Sequence, residues 1–256
     1  MYLVKSCHER DNIWKRNTIK IGTLTEYRDT EEQQIADRYE GNIELIFRLN
    51  DVHLPAFVFN EMNTFSDASS DFYAQNIDMR SSPLIPNHVY SKKYHATGTM
   101  TKFNRFIFCL SELLDPKKCQ GIFREYNDYW YFPRDRASFF GDLVSKSILT
   151  EVSARTLDGE KLFTTDIEQK PLEIRWYCNR IFYTSRKIHI DNKVIYTEPE
   201  KIIHCLSEGH MVKPSDFQHE KEWRFIFDIY CENKILQPLN KPLFISAENI
   251  LPLIKR

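Results

Sequence analysis

Apolar and polar residues alternate in short runs along most of the chain. The runs are rich in Ile, Val, Phe, Tyr and Trp and are separated by polar turns, the pattern of strands. It predicts strands over residues 2–6, 18–28, 42–49, 56–60, 104–112, 129–133, 172–184, 193–197, 222–231 and 242–246. Helical spacing is rarer. Phe139, Phe140, Leu143, Val144, Ile148 and Val152 recur at the helical period and predict a helix from Ala137 to about Ala154. HERDNIWKRN and EPEKIIHCLSE predict shorter helices. Residues 60–101 carry turn residues in NTFSDASSDF and SSPLIPNH with little periodicity, and read as a loop-rich insertion. No Gly-, Ser- or Pro-rich linker and no internal repeat divides the chain, which predicts one α+β domain over residues 1–256.

Composition narrows the function classes. With 256 residues, 42% of them hydrophobic, the chain can bury a sizeable core. Its 35 basic and 36 acidic residues give a formal charge of −1, which removes a global electrostatic case for nucleic acid or an acidic membrane. MYLVKSCHERDNIWKRN becomes charged too early for a secretory signal, and no apolar run approaches spanning length, so a cytoplasmic protein is expected. Six cysteines without a CxxC pair read as free thiols in a reducing compartment. Neither Cys nor His clusters at ligand spacing, so no metal is expected.

Three stretches carry candidate chemistry. HEKEWRFIF, residues 219–227, sets Glu220 and Glu222 two positions apart at the start of an aromatic strand. On a strand Glu220, Glu222 and Arg224 share one face, while Trp223, Phe225 and Phe227 form the core face. Neighbouring carboxylates shift each other's pKa, which suits acid, base or cation-stabilising work; an exposed charged face would show the same pattern. TIKIGTLTEYRD ends a run with Tyr27 and Arg28, and an arginine there can clamp a phosphate with its planar fork of donors. NRFIFCLSE ends an apolar run with Ser111, whose hydroxyl can orient a carboxylate or hold a ribose. Glycine-rich phosphate loops, the GxSxG elbow and paired-histidine motifs are absent.

In chain order these make a strand ending in Arg, a central strand ending in Ser and a late strand opening with Glu-x-Glu. The order resembles the arginine-serine-glutamate class of the ADP-ribosyltransferase superfamily. IKIGTLTEYRDTEEQQIADRYEG, FIFCLSE, VKPSDFQHEKEWRFIF and LFISAENILPLIKR are also similar to a widespread bacterial family with IGTL-x-x-YR, central-strand Ser and E-x-E-x-R motifs, which itself resembles that superfamily. The resemblance implies two small, packed, mostly antiparallel sheets forming a cleft, with flanking helices, and NAD as substrate. Arg28 and Tyr27 would then meet the pyrophosphate or its ribose, and Ser111 would position Glu222. Glu222 would stabilise the oxocarbenium-like cation as nicotinamide leaves, and Glu220 would steer or deprotonate the acceptor. Tyr129, Trp130, Phe139 and Phe140 are all candidates for the ring that stacks on nicotinamide, with Phe140 assigned. Arg38, Lys213 and Arg224 compete with Arg28 for the anion. The chain departs from the superfamily's Ser-Thr-Ser with Leu110, Ser111 and Glu112.

The implied acceptor is protein, RNA, DNA or water, and the implied setting is a toxin or phage-defence effector with a neutralising or sensor partner protein. Two other classes fit parts of the chain. One is a non-catalytic module that binds a nucleotide or a phage component on the same scaffold. The other is a nucleic-acid-binding or nuclease-like protein acting through RWYCNRIFYTSRK, residues 175–187, although its alternation equally describes a half-buried strand with arginines outside.

Overall fold

The computed structural model describes residues 1–30, 36–62, 68–167 and 170–256. Along the chain the strands are β1 (Tyr2–Cys7), β2 (Thr18–Thr23), β3 (Asn42–Pro55), β4 (Ala68–Ser81), β5 (His88–Lys102), β6 (Phe106–Leu113), β7 (Asp128–Pro133), β8 (Leu172–Arg180), β9 (Phe182–Tyr183), β10 (Lys187–Asp191), β11 (Val212–Lys213), β12 (Glu222–Cys231), β13 (Lys234–Leu236) and β14 (Leu243–Ser246). The helices are α1 (Ile13–Arg16), α2 (Leu24–Asp29), α3 (Ala56–Glu61), α4 (Ala137–Leu157), α5 (Asn192–Thr197) and α6 (Pro199–Ser207). The fold is mixed α+β with mostly antiparallel sheets, as expected.

The chain divides into two compact units. Unit 1 comprises Met1–Arg38, Asn104–Ile181 and Asp216–Arg256; unit 2 comprises Tyr39–Phe103 and Phe182–Ser215. Each has its own hydrophobic core. The sequence pattern predicted one domain because the chain passes between the units without the flexible linker composition that marks a boundary.

In unit 1 an eight-stranded sheet runs β13-β12-β6-β1-β7, with β8 on β12, β2 on β6 and β14 on β2. Phe106, Phe108 and Leu110 of β6 and Phe225, Phe227 and Ile229 of β12 fill one face, and α4 adds Phe140, Val144, Ile148 and Val152 to the same core. Each such side chain, fully buried, contributes about 1.5–3 kcal/mol. The Phe140 ring stacks on Phe132 at 4.5 Å and 20°. Gly141 lets α4 approach β8 closely, since a Cβ there would lie 2.4 Å from the Trp176 ring. The Trp176 indole N–H donates to Asp142 Oδ1 at 3.1 Å beside it.

Unit 2 is a four-stranded sheet in the order β10-β3-β5-β4. Residues 60–101, expected as loop-rich, hold β4 and β5, and residues 63–67 lie outside the described ones. The pattern was hidden because β4 is exposed along most of its length and does not need an apolar side. Its pairing with β5 shifts register between Ala74 and Asn76 and again between Asp78 and Met79. Such irregularities blunt an edge strand.

Three further expected strands fold otherwise. AFVFN and KVIYT are helical, as α3 and α5. Short β-branched and aromatic runs are ambiguous, and here Asp191 caps α5 by accepting from the Val194 N–H at 2.9 Å. The run over residues 18–28 stops being a strand at Thr23, where α2 starts. Thr23 accepts from the Glu26 N–H, and Glu26 reaches back to the Thr23 N–H, so T-L-T-E is a capping box. No helix among the described residues is long and apolar enough to cross a membrane.

Candidate functional site

Strand β6 organises the site. One edge pairs with β12, bringing Ser111 opposite Glu222 and Cys109 opposite Arg224. The other edge is shared. β1 pairs only with Leu113, Glu112 and Ser111, and β2 only with Ile107 and Phe106. Beyond those registers β1 follows β7 and β2 follows β14, so the two strands splay apart and, among the described residues, leave Phe108–Leu110 without a strand partner on that edge.

Lys5 fills part of this split. Its Nζ donates to the Cys109 carbonyl at 3.0 Å, supplying the hydrogen bond a ladder would have given, and lies 4.9 Å from the Phe108 ring centroid. Burial holds the Lys5 ammonium below its ordinary pKa, against the opposing pull of Cys109, Cys7 and Glu222. Around it opens a cavity of about 540 Å³, lined among others by Lys5, Arg16, Lys20, Tyr27, Trp130 and Phe244. That is within the range of small-ligand sites, roughly 300–1,000 Å³.

Helix α2 delivers Tyr27 to this cavity. The Leu24 N–H donates to the Arg105 carbonyl at 3.0 Å and the Thr25 N–H to Asn104 Oδ1 at 2.9 Å, which ties the helix start to the entrance of β6. Gly22 makes room, because a Cβ there would lie 3.0 Å from the Tyr27 ring. The Tyr27 phenol is pushed well up by burial and then by Cys109, Glu222 and Glu26, with Arg224 opposing. Tyr27 and Lys5 therefore line the cavity and also feel the charge of Glu222.

The Glu222 carboxylate is itself enclosed. Arg224 Nε donates to Glu222 Oε1 at 2.6 Å, and the two side chains are 1% and 3% exposed. Glu220 does not share their strand face, contrary to the sequence expectation. It ends the 3-10 turn Ser215–Glu220, and Lys221 takes a left-handed φ of 49° before β12 begins, which breaks the alternation.

The other expected residues scatter. Arg28 sits in the last turn of α2, half-buried, and is not among the described residues of the cavity wall; nor are Ser111 and Glu222. Arg38 is exposed and Lys213 lies in unit 2. Phe140 is a core residue with no exposed surface, so no ring face is open to a ligand, and its apolar helix face is the reason. Of the other stacking candidates Trp130 reaches the cavity, while Phe139 is exposed. Glu112, which follows Ser111 on β6, is gripped by Arg134 Nη1 at 2.8 Å and Arg180 Nη2 at 3.0 Å. Burial would raise its carboxyl, but these hydrogen bonds outweigh it and hold the group below the usual range. Arg175 pairs with Glu173 at 3.3 Å and stacks on Tyr230, so Arg175 and Arg180, two arginines of the 175–187 stretch, already face carboxylates.

Lys5, Arg16, Lys20 and Phe244 were not singled out from sequence. Lys5 had a signal: in YLVKSC it takes the position between Leu3 and Cys7 on the face that alternation assigns to the core. Among the described residues no group of three or more His, Cys, Asp or Glu could hold a metal. No protein-family model matches the chain, and neither does any curated protein or solved structure.

Proposed function

We propose that unit 1 binds NAD and uses Glu222 to support cleavage of the bond between ribose and nicotinamide, passing ADP-ribose to a macromolecule or to water. The supporting observation is the convergence on β6: Ser111 and Glu222 are cross-strand partners, and the helix carrying Tyr27 starts where β2 leaves the same strand. In this reading the C1′–N bond breaks and its electron pair leaves with nicotinamide. Glu222 faces the positive charge on the ribose with Ser111 beside it. An acceptor hydroxyl or water then bonds to C1′ and gives up its proton. The reaction requires the Glu222 carboxylate to exchange Arg224 for the ribose. Purified protein with NAD and cell lysate as acceptor is expected to release nicotinamide, and Glu222→Gln, folded by its melting curve, is expected to lose that release. Absence of release from the wild type removes the reading.

The enclosure of the Glu222–Arg224 pair, and its absence from the cavity wall, favour a second reading. Here the same unit is a nucleotide-binding module in which the pair only stiffens the sheet. It predicts NAD or ADP-ribose binding by calorimetry without nicotinamide release.

A further inference from the structure

Three cationic side chains that line the cavity differ in what neutralises them. Lys20 Nζ lies 2.6 Å from Glu26 Oε1, and Arg16 Nη2 lies 3.4 Å from Asp11 Oδ1. Among the described residues, Lys5 instead donates to a neutral carbonyl, which leaves two of its three ammonium protons for another acceptor. One wall beside it is the Phe108 ring, so the charge acts through a medium poorer in water than the surface and its attraction for an anion is strengthened. At the rim, Phe244 of β14 is 49% exposed and sits opposite Lys20 of β2. A large exposed ring beside a cationic pocket is the arrangement that stacks a base while a phosphate is held.

We infer that the split between β1 and β2 is a phosphate subsite for a nucleoside diphosphate, with Lys5 as the anchoring cation and Phe244 as the platform for the base. This rests on the nucleotide reading of unit 1 and moves the anion anchor from Arg28, where the motif order put it, to Lys5. Burial disfavours the charged form of Lys5, and a phosphate bound beside it favours the ammonium and offsets that cost.

The test is calorimetric titration of the full chain with ADP and, separately, with inorganic pyrophosphate. Wild type is expected to bind both. Lys5→Met is expected to weaken both at least about tenfold, a loss of about 1.4 kcal/mol. Phe244→Ala is expected to weaken ADP by about fivefold or more and leave pyrophosphate unchanged. If Lys5→Met does not fold, Thr18→Glu, which adds a carboxylate to the cavity wall, takes its place with the same expected loss. Failure of wild type to bind either probe at millimolar concentration overturns the subsite, as does a folded Lys5→Met or Thr18→Glu protein that binds pyrophosphate as wild type does. The subsite and the reaction fail separately. ADP binding lost in Lys5→Met, without any NAD cleavage, supports the subsite and removes the reaction. NAD cleavage at wild-type KM in Lys5→Met keeps the reaction and overturns the subsite.

Discussion

Lys5 and Arg224 are both cations on the β6 neighbourhood of unit 1, and their surroundings are opposite. Arg224 is closed in with the carboxylate of Glu222 at 2.6 Å. Lys5 stands in a gap of the same sheet, bonded to a carbonyl and facing a cavity. A buried cation with a bonded anion contributes mainly to holding its surroundings, because removing one partner strands the other. A cation without one is an unfinished interaction that a ligand can complete. The difference comes from strand pairing: β12 stays on β6 from Phe106 to Ser111, whereas β1 and β2 each cover only one end of the other edge.

The largest effect that would sharpen this contrast is expected at the closed site. Arg224→Met leaves Glu222 buried without its guanidinium and is expected to cost about 3–5 kcal/mol in urea unfolding. A loss under about 1 kcal/mol would mean that the pair is not held as described. Next is Gly22→Val, which forces a branched side chain against the Tyr27 ring. It is expected to destabilise by about 1–3 kcal/mol and to change Trp130 fluorescence, since both aromatic residues line the cavity. Unchanged stability and emission would break the proposed fit of α2 to the cavity.

The smallest effect is in pH dependence. Burial lowers the Lys5 pKa below its ordinary 10.5, so between the folded value and 10.5 the unfolded chain holds a proton that the folded chain has lost. Stability contributed by this group therefore rises with pH across that window. Lys5→Met lacks the rise, so the stability of wild type minus that of Lys5→Met is expected to increase with alkaline pH. Tyr27, pushed up in the fold, loses stability as pH climbs above its ordinary 10.0 in both proteins and cancels in the difference. A flat difference would show that Lys5 is not desolvated.

Strand positions with one apolar face were legible, and β12 and β6 fall within a residue or two of the pattern. Legibility failed where burial and pattern part company. β4 is exposed and shows no stripe, while α3 and α5 bury β-branched residues on one helical side. Register makes Ser111 and Glu222 cross-strand neighbours, whereas the alternation expected to put Glu220 on the same face fails because a single left-handed residue takes it off the strand. The split that exposes Lys5 depends on where β1 and β2 leave β6, a long-range pairing that no local spacing encodes. The lysine on an apolar face was the one local trace of it.

In the proposed function Lys5 serves binding and Glu222 serves the reaction, and steady-state nicotinamide release from NAD separates the two most directly. Lys5→Met is expected to raise KM at least about tenfold with kcat nearly unchanged, and Glu222→Gln to lower kcat about a hundredfold or more with KM nearly unchanged. Release at wild-type kcat and KM from both folded variants, or none from the wild-type protein, would contradict it.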